Sequence, residues 1–574
     1  MSTFSQLKKV LFGKPIASKH AHHERLAIPI GLAVFASDAI SSVAYSTEEI
    51  MHVLAPTGLI DAYYKLIPVA LALTILMLIV GFSYFQTIAA YPKGGGTYLV
   101  STENLGSGAG RVAGASLLLD YVLTVAVSIS SGTAAVVSMM PAAQPYMVQI
   151  GIGAVAILCL VNLRGAKESG LAFALPTYAF ILALLALIAH AISSRIGQPM
   201  TPPDLSKYEG TAKTLTAVNL FILLKAFAAS CTALTGTEAI ADGVQAFKEP
   251  AAKNAQKTLA LMIALLITLF VGVTYASMHI GLTPMSPSED GFKTVLAQLA
   301  SHQWGEGFGY SFLLISTAMI LFLAANTAYA DFPRLCSFVA KDGYLPRQLT
   351  TLGDRLVFQN GIIILSALAA ILIFIFHADT HSLIPLYAMG VFISFTLSQL
   401  GMARRFTKER KQRDYRFAKE KEAGEYVDQR AHQRAKFKFR VKTLICGFGG
   451  LVTGGVTLIL LVTKWSEKAY LVVFALAALM LMFRGIKGHY NYLAKKLTVQ
   501  PTDTLPEMKT ATLLLVPRVH KGILKAIKYA LVSSPDTRAL HVALNPEGAK
   551  KTKEEWVRLG LDMPLVILES PYRS

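Results

Sequence analysis

Three carboxylates lie inside long apolar stretches of the sequence: Asp38, Asp120 and Glu238. A charge in such a stretch is costly unless it faces a cavity, an ion or a partner. Two of these acids share a local pattern, because residues 37–40 and 237–240 both read hydroxyl residue, acid, Ala, Ile. Small hydroxyl residues tolerate a broken helix and add oxygen ligands, so these segments offer the chemistry of cation ligation.

Further oxygen donors accompany the acids. Thr124 and Ser128 stand four and eight residues after Asp120, which places all three on one stripe of a helix. Three further candidates have hydroxyl groups. Tyr45 follows Asp38, Thr235 precedes Glu238, and Tyr387 stands close to Gly390. Helix packing explains Ser128 and Tyr387 equally well. For each carboxylate the alternative is an internally paired structural acid.

The elements that must hold these residues are membrane helices. The chain has 574 residues, of which 53% are hydrophobic and 16% charged, whereas a soluble domain has about 25% charged residues. Soluble enzymes and secreted proteins are therefore excluded, and no nucleophile-base pair or metal-ligand spacing predicts an enzyme. Twelve apolar stretches are about as long as, or longer than, the roughly 20 residues that cross a bilayer: 27–55, 66–90, 111–139, 147–163, 170–193, 215–247, 258–282, 308–331, 359–377, 383–402, 443–463 and 467–484.

Basic residues predict how the chain crosses the membrane. The net charge is +19, and the segments after even-numbered stretches are rich in Lys and Arg. One of them, the linker 404–442, holds fifteen Lys or Arg against six Asp or Glu. Because basic loops stay in the cytoplasm, both termini are predicted to be cytoplasmic and the protein to lie in the cell membrane. We expect the linker to contact anionic lipid and expect no nucleic acid as a partner.

The repeated pattern at residues 37–40 and 237–240 falls on stretches one and six. This is typical of a LeuT-like five-plus-five inverted repeat, whose two broken helices meet at the membrane midplane. We therefore predict an all-α polytopic membrane protein with twelve transmembrane helices and a small C-terminal cytoplasmic α/β domain. Strands are expected at 512–516, 539–544 and 565–568, with a helix at 521–531.

The predicted domains are a cytoplasmic tail at 1–25, a transporter domain at 26–484, a linker at 485–504 and the α/β domain at 505–574, whose sheet is expected to be incomplete. Lys225 is predicted to reach the membrane surface or to pair with an acid. Four acids near span ends are explained equally by a gate or surface role and by no role: Glu48, Glu49, Asp242 and Asp331. The tail histidines His20, His22 and His23 are predicted to be solvated.

Several segments together resemble the amino acid-polyamine-organocation transporter superfamily: stretches one and six, PKGGGTY at 92–98 and NLRG at 162–165. Within it, SDAISS at 37–42, LDY at 119–121 and TGTE at 235–238 most resemble the KimA-type potassium-proton symporters. The resemblance implies proton-coupled potassium import, a universal-stress-protein-like tail that forms a homodimer, and cyclic di-AMP as a regulator. It also implies potassium ligands at Asp38, Tyr45, Asp120, Thr124, Ser128, Thr235, Glu238 and Tyr387.

The residues themselves favour a cation. An amino-acid permease usually holds its substrate carboxylate with glycines in the break of span one, and this chain has none there. Oxygen ligands suit an alkali cation better than a soft metal, and potassium is expected at Asp38, Asp120 and Glu238. Crowded acids cannot all ionise, so Asp120 or Glu238 is predicted to carry the coupled proton. Tyr45 and Tyr387 are the predicted extracellular and cytoplasmic gates.

Two other functions stay open at the level of sequence. One is a proton-coupled amino-acid or polyamine permease of the same superfamily, although a polyamine needs a longer slot with aromatic walls. The other is a membrane sensor whose α/β tail is the functional part. No cofactor is expected for any of these functions. Deletion of residues 505–574 separates the two classes, because a transporter keeps flux and a sensor loses its output.

Overall fold

A computed structural model describes residues 25–92, 94, 96–164, 170–208, 219–351, 357–423, 428–498, 511–543 and 546–569. The chain divides into two compact units, Met1–Tyr492 and Leu493–Ser574. The first is helical, and the second holds a parallel three-stranded sheet. The predicted cluster of tail histidines at 20–23 lies outside the described residues.

Twelve spans can be numbered in chain order. Within the described ranges, ten helices are long and apolar enough to cross a membrane. The ninth span is a shorter apolar helix of 17 residues, and the first consists of three consecutive helices, Ile28–Phe35, Ser37–Ser41 and Val43–Leu54. Spans 2 to 12 are Leu66–Ala90, Ser107–Met139, Met147–Leu163, Gly170–Ser193, Leu220–Asp242, Ala251–Ile280, Phe308–Lys341, Gln359–Ile375, Thr380–Glu422, Gln429–Thr463 and Tyr470–Leu497. The predicted fold class is confirmed.

Shorter helices connect some of the spans. Ile60–Tyr64 precedes span 2, Thr97–Leu105 joins spans 2 and 3, and Val295–Trp304 joins spans 7 and 8. Short 3-10 turns complete the connections: Ala55–Thr57, Pro141–Tyr146, Ser206–Tyr208, Val244–Ala246, Arg347–Thr350 and Trp465–Glu467.

Spans 10 and 11 extend far beyond their apolar parts. Span 10 continues to Glu422 and span 11 begins at Gln429, so most of the predicted linker 404–442 is helical. Lys, Arg and Glu are good helix formers, which lets the helices continue after the apolar pattern ends. Asp414 on span 10 lies 3.1 Å from the His432 ring and 3.5 Å from the Lys436 amine on span 11. The basic segment is therefore a helical hairpin.

Span 3 is the central helix of the first unit. In the most apolar 18-residue segment of span 3, 89% of the residues are buried inside the protein, whereas the corresponding share for span 12 is 11%. Small residues allow its neighbours to approach closely. A β-carbon on Gly132 would lie 2.6 Å from the Phe322 ring of span 8, and one on Gly114 would lie 2.9 Å from the Tyr98 ring. Asp120 is consequently held deep within the bundle.

The second unit contains three strands, β1 (Ala511–Leu515), β2 (Asp536–Ala543) and β3 (Leu565–Glu569), paired in parallel in the order β1-β2-β3. Two helices connect them, Lys521–Ser533 and Pro546–Arg558, of which the sequence pattern predicted only the first. Side chains of both helices share one core with Ala539 of β2, among them Ile523, Ile527 and Trp556. Both helices therefore cover the same face of the sheet.

The opposite face of the sheet is mostly apolar, and the residues of the second unit that the structure describes leave it uncovered. The register pairs Leu515 with Leu540 and Val542 with Leu568 on this face. Leu515 is 66% exposed and Leu568 is 50% exposed. Parallel sheets in proteins are normally buried on both faces, so this surface lacks the cover that its composition calls for.

The intramembrane lysine of span 6 is paired. The Lys225 amine lies 2.6 Å from Glu467, just beyond span 11, and the Lys464 amine lies 2.6 Å from the other oxygen of the same carboxylate. Of the two predicted explanations for Lys225, pairing is the one observed. The Lys464 side chain is only 1% exposed, so Glu467 neutralises a buried charge.

We expect Glu467→Ala to destabilise the protein markedly. It leaves the buried Lys464 charge without a partner, which costs about 3–5 kcal/mol. Heating the purified protein and following the folded fraction by gel filtration measures the loss. Glu306→Ala is the matched control, because Glu306 pairs with Lys293 at a 65% exposed position where such pairs are worth about 1 kcal/mol or less. Equal midpoints for the two variants would contradict the prediction.

Candidate functional site

Span 6 loses its helical backbone in the middle. After the 3-10 turn Cys231–Leu234, Thr235 is extended at φ −62° and ψ 151°, and helix resumes only at Ala239–Asp242. Gly236 has φ +74°, a left-handed conformation that glycine adopts without strain. The break therefore falls on the TGTE segment that carries Glu238.

The break in span 1 is narrower and lies against that of span 6. Its helices are interrupted at Ala36 and at Ser42, on either side of Asp38. The Ser42 hydroxyl lies 3.3 Å from the carbonyl oxygen of Ala233 in span 6. A β-carbon on Gly236 would lie 2.6 Å from an Asp38 carboxylate oxygen, so only glycine allows this approach. The two predicted broken spans thus meet at Asp38.

Three buried carboxylates face this meeting point. Asp38, Asp120 and Glu238 are each at most 7% exposed, and they act on one another electrostatically. In each, one oxygen is buried and has no hydrogen-bond partner among the residues that the structure describes: Asp38 Oδ1, Asp120 Oδ1 and Glu238 Oε1. Buried polar atoms are rarely left unpaired, and unpaired buried charge is strongly destabilising. Three such oxygens on three spans call for a proton or a cation as their partner.

The helical stripe that begins at Asp120 faces span 10. The Thr124 hydroxyl donates to the Asp120 carbonyl at 2.9 Å and lies 3.2 Å from the Tyr387 hydroxyl. Gly390 packs against Asp120, since a β-carbon there would lie 3.8 Å from the Asp120 β-carbon. Ser128 is buried two turns beyond Asp120 on the same helix. Spans 3 and 10 therefore bring a carboxylate and hydroxyl oxygens together.

Tyr45 connects the acids to the end of the protein where spans 1 and 10 carry histidines. Its side chain interacts with Thr235 in the break of span 6 and with the Asp38 and Asp120 charges. It also lines a small cavity that includes Glu49 and His381. Tyr45 thus lies between the three acids and that cavity, which is the position predicted for a gate. Whether Tyr45 and Tyr387 act as gates stays a prediction.

Two residues of this site were not identified from the sequence. Tyr84 of span 2 donates to Glu238 Oε2 at 3.2 Å, and Thr97 donates to the same oxygen at 3.1 Å. Nothing in the spacing of either residue relates it to span 6. The signal that was present is a lone tyrosine inside a span of apolar residues. These donors fix one Glu238 oxygen and leave the other available.

Gly94 and Gly96, from the PKGGGTY segment, pack on the end of span 6. Gly94 has φ +73°, and a β-carbon there would lie 2.6 Å from the Asp242 carbonyl oxygen. A β-carbon on Gly96 would lie 3.1 Å from an Asp242 carboxylate oxygen. Asp242 also interacts electrostatically with Glu238 and Asp331. Gly94 and Gly96 are therefore needed for close packing beside the acids.

The donors assembled here are carboxylate and hydroxyl oxygens. Such ligands suit hard cations, and no sulfur or imidazole ligand stands among the eight predicted site residues. A dehydrated cation needs oxygen dipoles in place of its water shell, which broken helices supply. An acid that the cation does not neutralise can hold a proton. The arrangement is therefore suited to hold a cation and a proton together at a buried position.

Comparison with known proteins places these features in context. The chain matches the family model of amino acid permeases over residues 32–483, and that of the KimA potassium transporter C-terminal domain over residues 508–574. The potassium transporter KimA of Bacillus subtilis (strain 168) is 40% identical over 573 residues, which cover 100% of this chain and 88% of that protein.

Solved structures of the manganese transporter of Eremococcus coleocola are also similar. One, of a mutant, has a TM-score of 0.41 at 11% identity, and one with an aromatic bis-isothiourea compound has a TM-score of 0.40 at 12% identity. Each match covers 86% of this chain and 99% of the solved chain.

Proposed function

This chain belongs to the amino acid permease family, and within that family we propose that it is a secondary active transporter that imports potassium together with protons. The observation that carries the proposal is the group of three buried carboxylates with one unpartnered oxygen each. The whole-length similarity to a protein named as a potassium transporter supports the choice of potassium. Whichever substrate it carries, the chain is a transporter and not an enzyme.

Potassium binding follows from the geometry of the two breaks. Asp38 lies where spans 1 and 6 meet, and Asp120 approaches from span 3 with the Thr124 hydroxyl. Potassium prefers oxygen ligands, and the freed backbone carbonyls of span 6 add to those of the side chains. An amino acid would need donors for its carboxylate at this point, whereas the site presents three acids. We therefore favour a cation over an amino acid as substrate.

Proton coupling is assigned to Glu238, with Asp120 as the second candidate. Glu238 keeps one oxygen fixed by Tyr84 and Thr97 while the other has no partner. Several acids in a site of low dielectric constant cannot all be charged, so Glu238 takes up a proton while potassium is held at Asp38 and Asp120, and the two ions cross together. The membrane potential adds about 2.3 kcal/mol per elementary charge for every 100 mV. Import is thereby driven by the proton gradient and the potential.

The direct test measures uptake in cells that lack their own potassium importers. Cells producing this protein are expected to accumulate potassium from low external concentrations, and uptake is expected to rise as external pH falls. Cells with empty vector give the background. Labelled amino acids and polyamines are offered in parallel. Uptake of one of those, without potassium uptake, would contradict the proposal and favour a permease.

The proposed location is the cell membrane, with both termini in the cytoplasm. The hairpin of spans 10 and 11 contains most of the linker 404–442 and its fifteen Lys or Arg residues. Basic segments stay on the cytoplasmic side, and each basic residue near an anionic surface gains about 1 kcal/mol. The hairpin is therefore proposed to contact anionic lipid. Vesicles with and without phosphatidylserine test this contact with the purified protein.

The proposed assembly is a homodimer formed through the C-terminal domain. Its support is the uncovered apolar face of the sheet, where Leu515 and Leu568 are half or more exposed. A second copy of the same face would cover it in a two-fold arrangement. Cyclic di-AMP is the proposed regulator, and binding of the labelled nucleotide to the purified full chain tests that proposal.

A charge on this face is expected to separate the dimer. Leu515→Lys replaces an apolar side chain at both halves of a symmetric interface, and each lost leucine is worth about 1.5–3 kcal/mol. The dissociation constant of the dimer should therefore rise by at least about 100-fold. Light scattering of the purified full chain measures its mass. Val557→Lys, on the exposed side of a helix, is the control, and a dimeric Leu515→Lys would contradict this interface.

A further inference from the structure

Spans 1 and 10 bring three metal-binding side chains together at one end of the bundle. Glu49 and His52 lie on one face of span 1, and His381 stands in the first turn of span 10. We name these three residues the outer cluster. One ligand atom from each lies within 4.8 Å of the other two. The cluster is separate from the three acids, since Tyr45 lies between them.

Each member of the outer cluster is held in place. His381 Nδ1 lies 2.8 Å from a Glu49 carboxylate oxygen, and the His52 and His381 rings stack with centroids 4.4 Å apart. Asp379 accepts from the His381 backbone amide at 3.1 Å and thereby caps span 10. Two different spans thus present preoriented ligands to one point.

A second carboxylate stands behind the cluster. Glu48 lies 4.0 Å from His52 Nε2 and accepts from the Val295 amide at 3.2 Å. Metal-binding histidines commonly turn their other nitrogen to such a carboxylate, which fixes the ring and raises its affinity. The surroundings of His52 therefore fit a ligand better than an isolated surface histidine.

A cavity of about 40 Å³ adjoins these side chains. One water needs about 10–15 Å³ of such space. The cavity therefore has room for an ion and a water molecule. Its lining includes Glu49, His52 and His381 together with Thr294, Thr380 and Asp379.

We propose that the outer cluster is a binding site for a zinc-type divalent cation, which joins span 1 to span 10 and stops transport. Two imidazoles, one carboxylate and one water complete the tetrahedral set that zinc takes in sites with three protein ligands. Zinc draws its ligands to about 2.0–2.2 Å, so the three ligand atoms, which lie within 4.8 Å of one another, move closer together when zinc binds. The metal replaces the direct contact between His381 Nδ1 and the Glu49 carboxylate.

Inhibition follows from the location of the two ligand-bearing segments. The Asp38 and Glu49 segments belong to the same span 1, and alternating access requires the broken spans to move relative to the rest of the bundle. A metal ligated from both span 1 and span 10 holds these spans in one arrangement. This part of the inference rests on the proposed transport function, whereas metal binding itself does not.

Zinc binding is measured first, by isothermal titration of the purified full chain in detergent with zinc chloride. One zinc ion per chain is expected. His52→Gln and His381→Gln should each weaken zinc binding by at least about 100-fold. Loss of a direct ligand costs at least as much metal affinity as loss of a residue that hydrogen-bonds to a ligand. His381→Cys restores a zinc ligand and should bind again, which excludes loss of folding as the cause.

His377→Gln is the matched control, because His377 is exposed near His381 and is not a member of the outer cluster. Its zinc affinity should equal that of the wild type. Weak binding by the wild type, or equal binding by all variants, would overturn the site. Potassium uptake is then measured with external zinc, which should inhibit the wild type and His377→Gln but not His381→Gln.

The two proposals fail in different ways. Zinc binding that leaves potassium uptake unchanged would overturn the inhibitory connection between spans 1 and 10. Absence of potassium uptake without any zinc would contradict the proposed function alone, and the titration would still decide whether the outer cluster binds metal.

Discussion

Asp38→Asn is expected to abolish potassium uptake at low external potassium. The variant keeps the size and shape of the side chain but removes its charge at the point where spans 1 and 6 meet. Loss of one partner of a buried ion pair costs about 3–5 kcal/mol, which corresponds to at least about a 100-fold loss of affinity. Uptake measured over a range of potassium concentrations gives this change directly.

The control for this variant is Asp61→Asn. Asp61 is an exposed carboxylate in the helix Ile60–Tyr64, so removal of its charge leaves the site intact. Gel filtration of both purified variants establishes that each is folded. Potassium uptake by Asp38→Asn with wild-type affinity would show that Asp38 is a structural acid, which is the alternative that its sequence context left open.

Glu238→Gln is expected to uncouple potassium from protons. Glutamine is as long as glutamate, and its amide oxygen can still accept from Tyr84 and Thr97. It neither binds the coupled proton nor supplies a negative charge. The variant should therefore lose the rise of uptake at low external pH and lose the accumulation that the proton gradient drives. Proton entry that accompanies potassium uptake, followed with a pH-sensitive dye in vesicles, measures the coupling.

Glu249→Gln serves as the comparison for Glu238→Gln. Glu249 is 68% exposed beyond the end of span 6 and pairs with Arg25 at the surface, so its neutralisation should leave coupling unchanged. If Glu238→Gln still moves protons with potassium, the coupled proton resides on another group. Asp120→Asn then becomes the decisive variant, because Asp120 is the second predicted carrier.

The membrane architecture was largely predictable because it depends on composition and local pattern. Apolar length located the spans, and the shared pattern at residues 37–40 and 237–240 identified the two that are broken. The break in span 6 follows from local chemistry, since Gly236 permits a positive φ that few residues adopt. Helix ends were less predictable, as span 10 continues to Glu422 on helix-forming charged residues.

The site was predictable only in its acids and its helical stripe. Asp120, Thr124 and Ser128 share a face because helix periodicity alone places them together. Tyr84 and Thr97 were missed because their contact with Glu238 is made between segments about 140–155 residues apart. The outer cluster was missed for the same reason, since Glu49 and His381 meet across 332 residues. Single-sequence patterns carry no information about such contacts.

The most direct test of proton-coupled potassium transport uses purified protein in sealed vesicles. A pH gradient is imposed across the vesicle membrane and the membrane potential is dissipated. Potassium should accumulate in vesicles that are alkaline inside, by about tenfold per pH unit for one proton per potassium ion. Glu238→Gln vesicles should only equilibrate. Equal accumulation by wild type and Glu238→Gln, or none by either while an amino acid accumulates, would contradict proton-coupled potassium transport at this site.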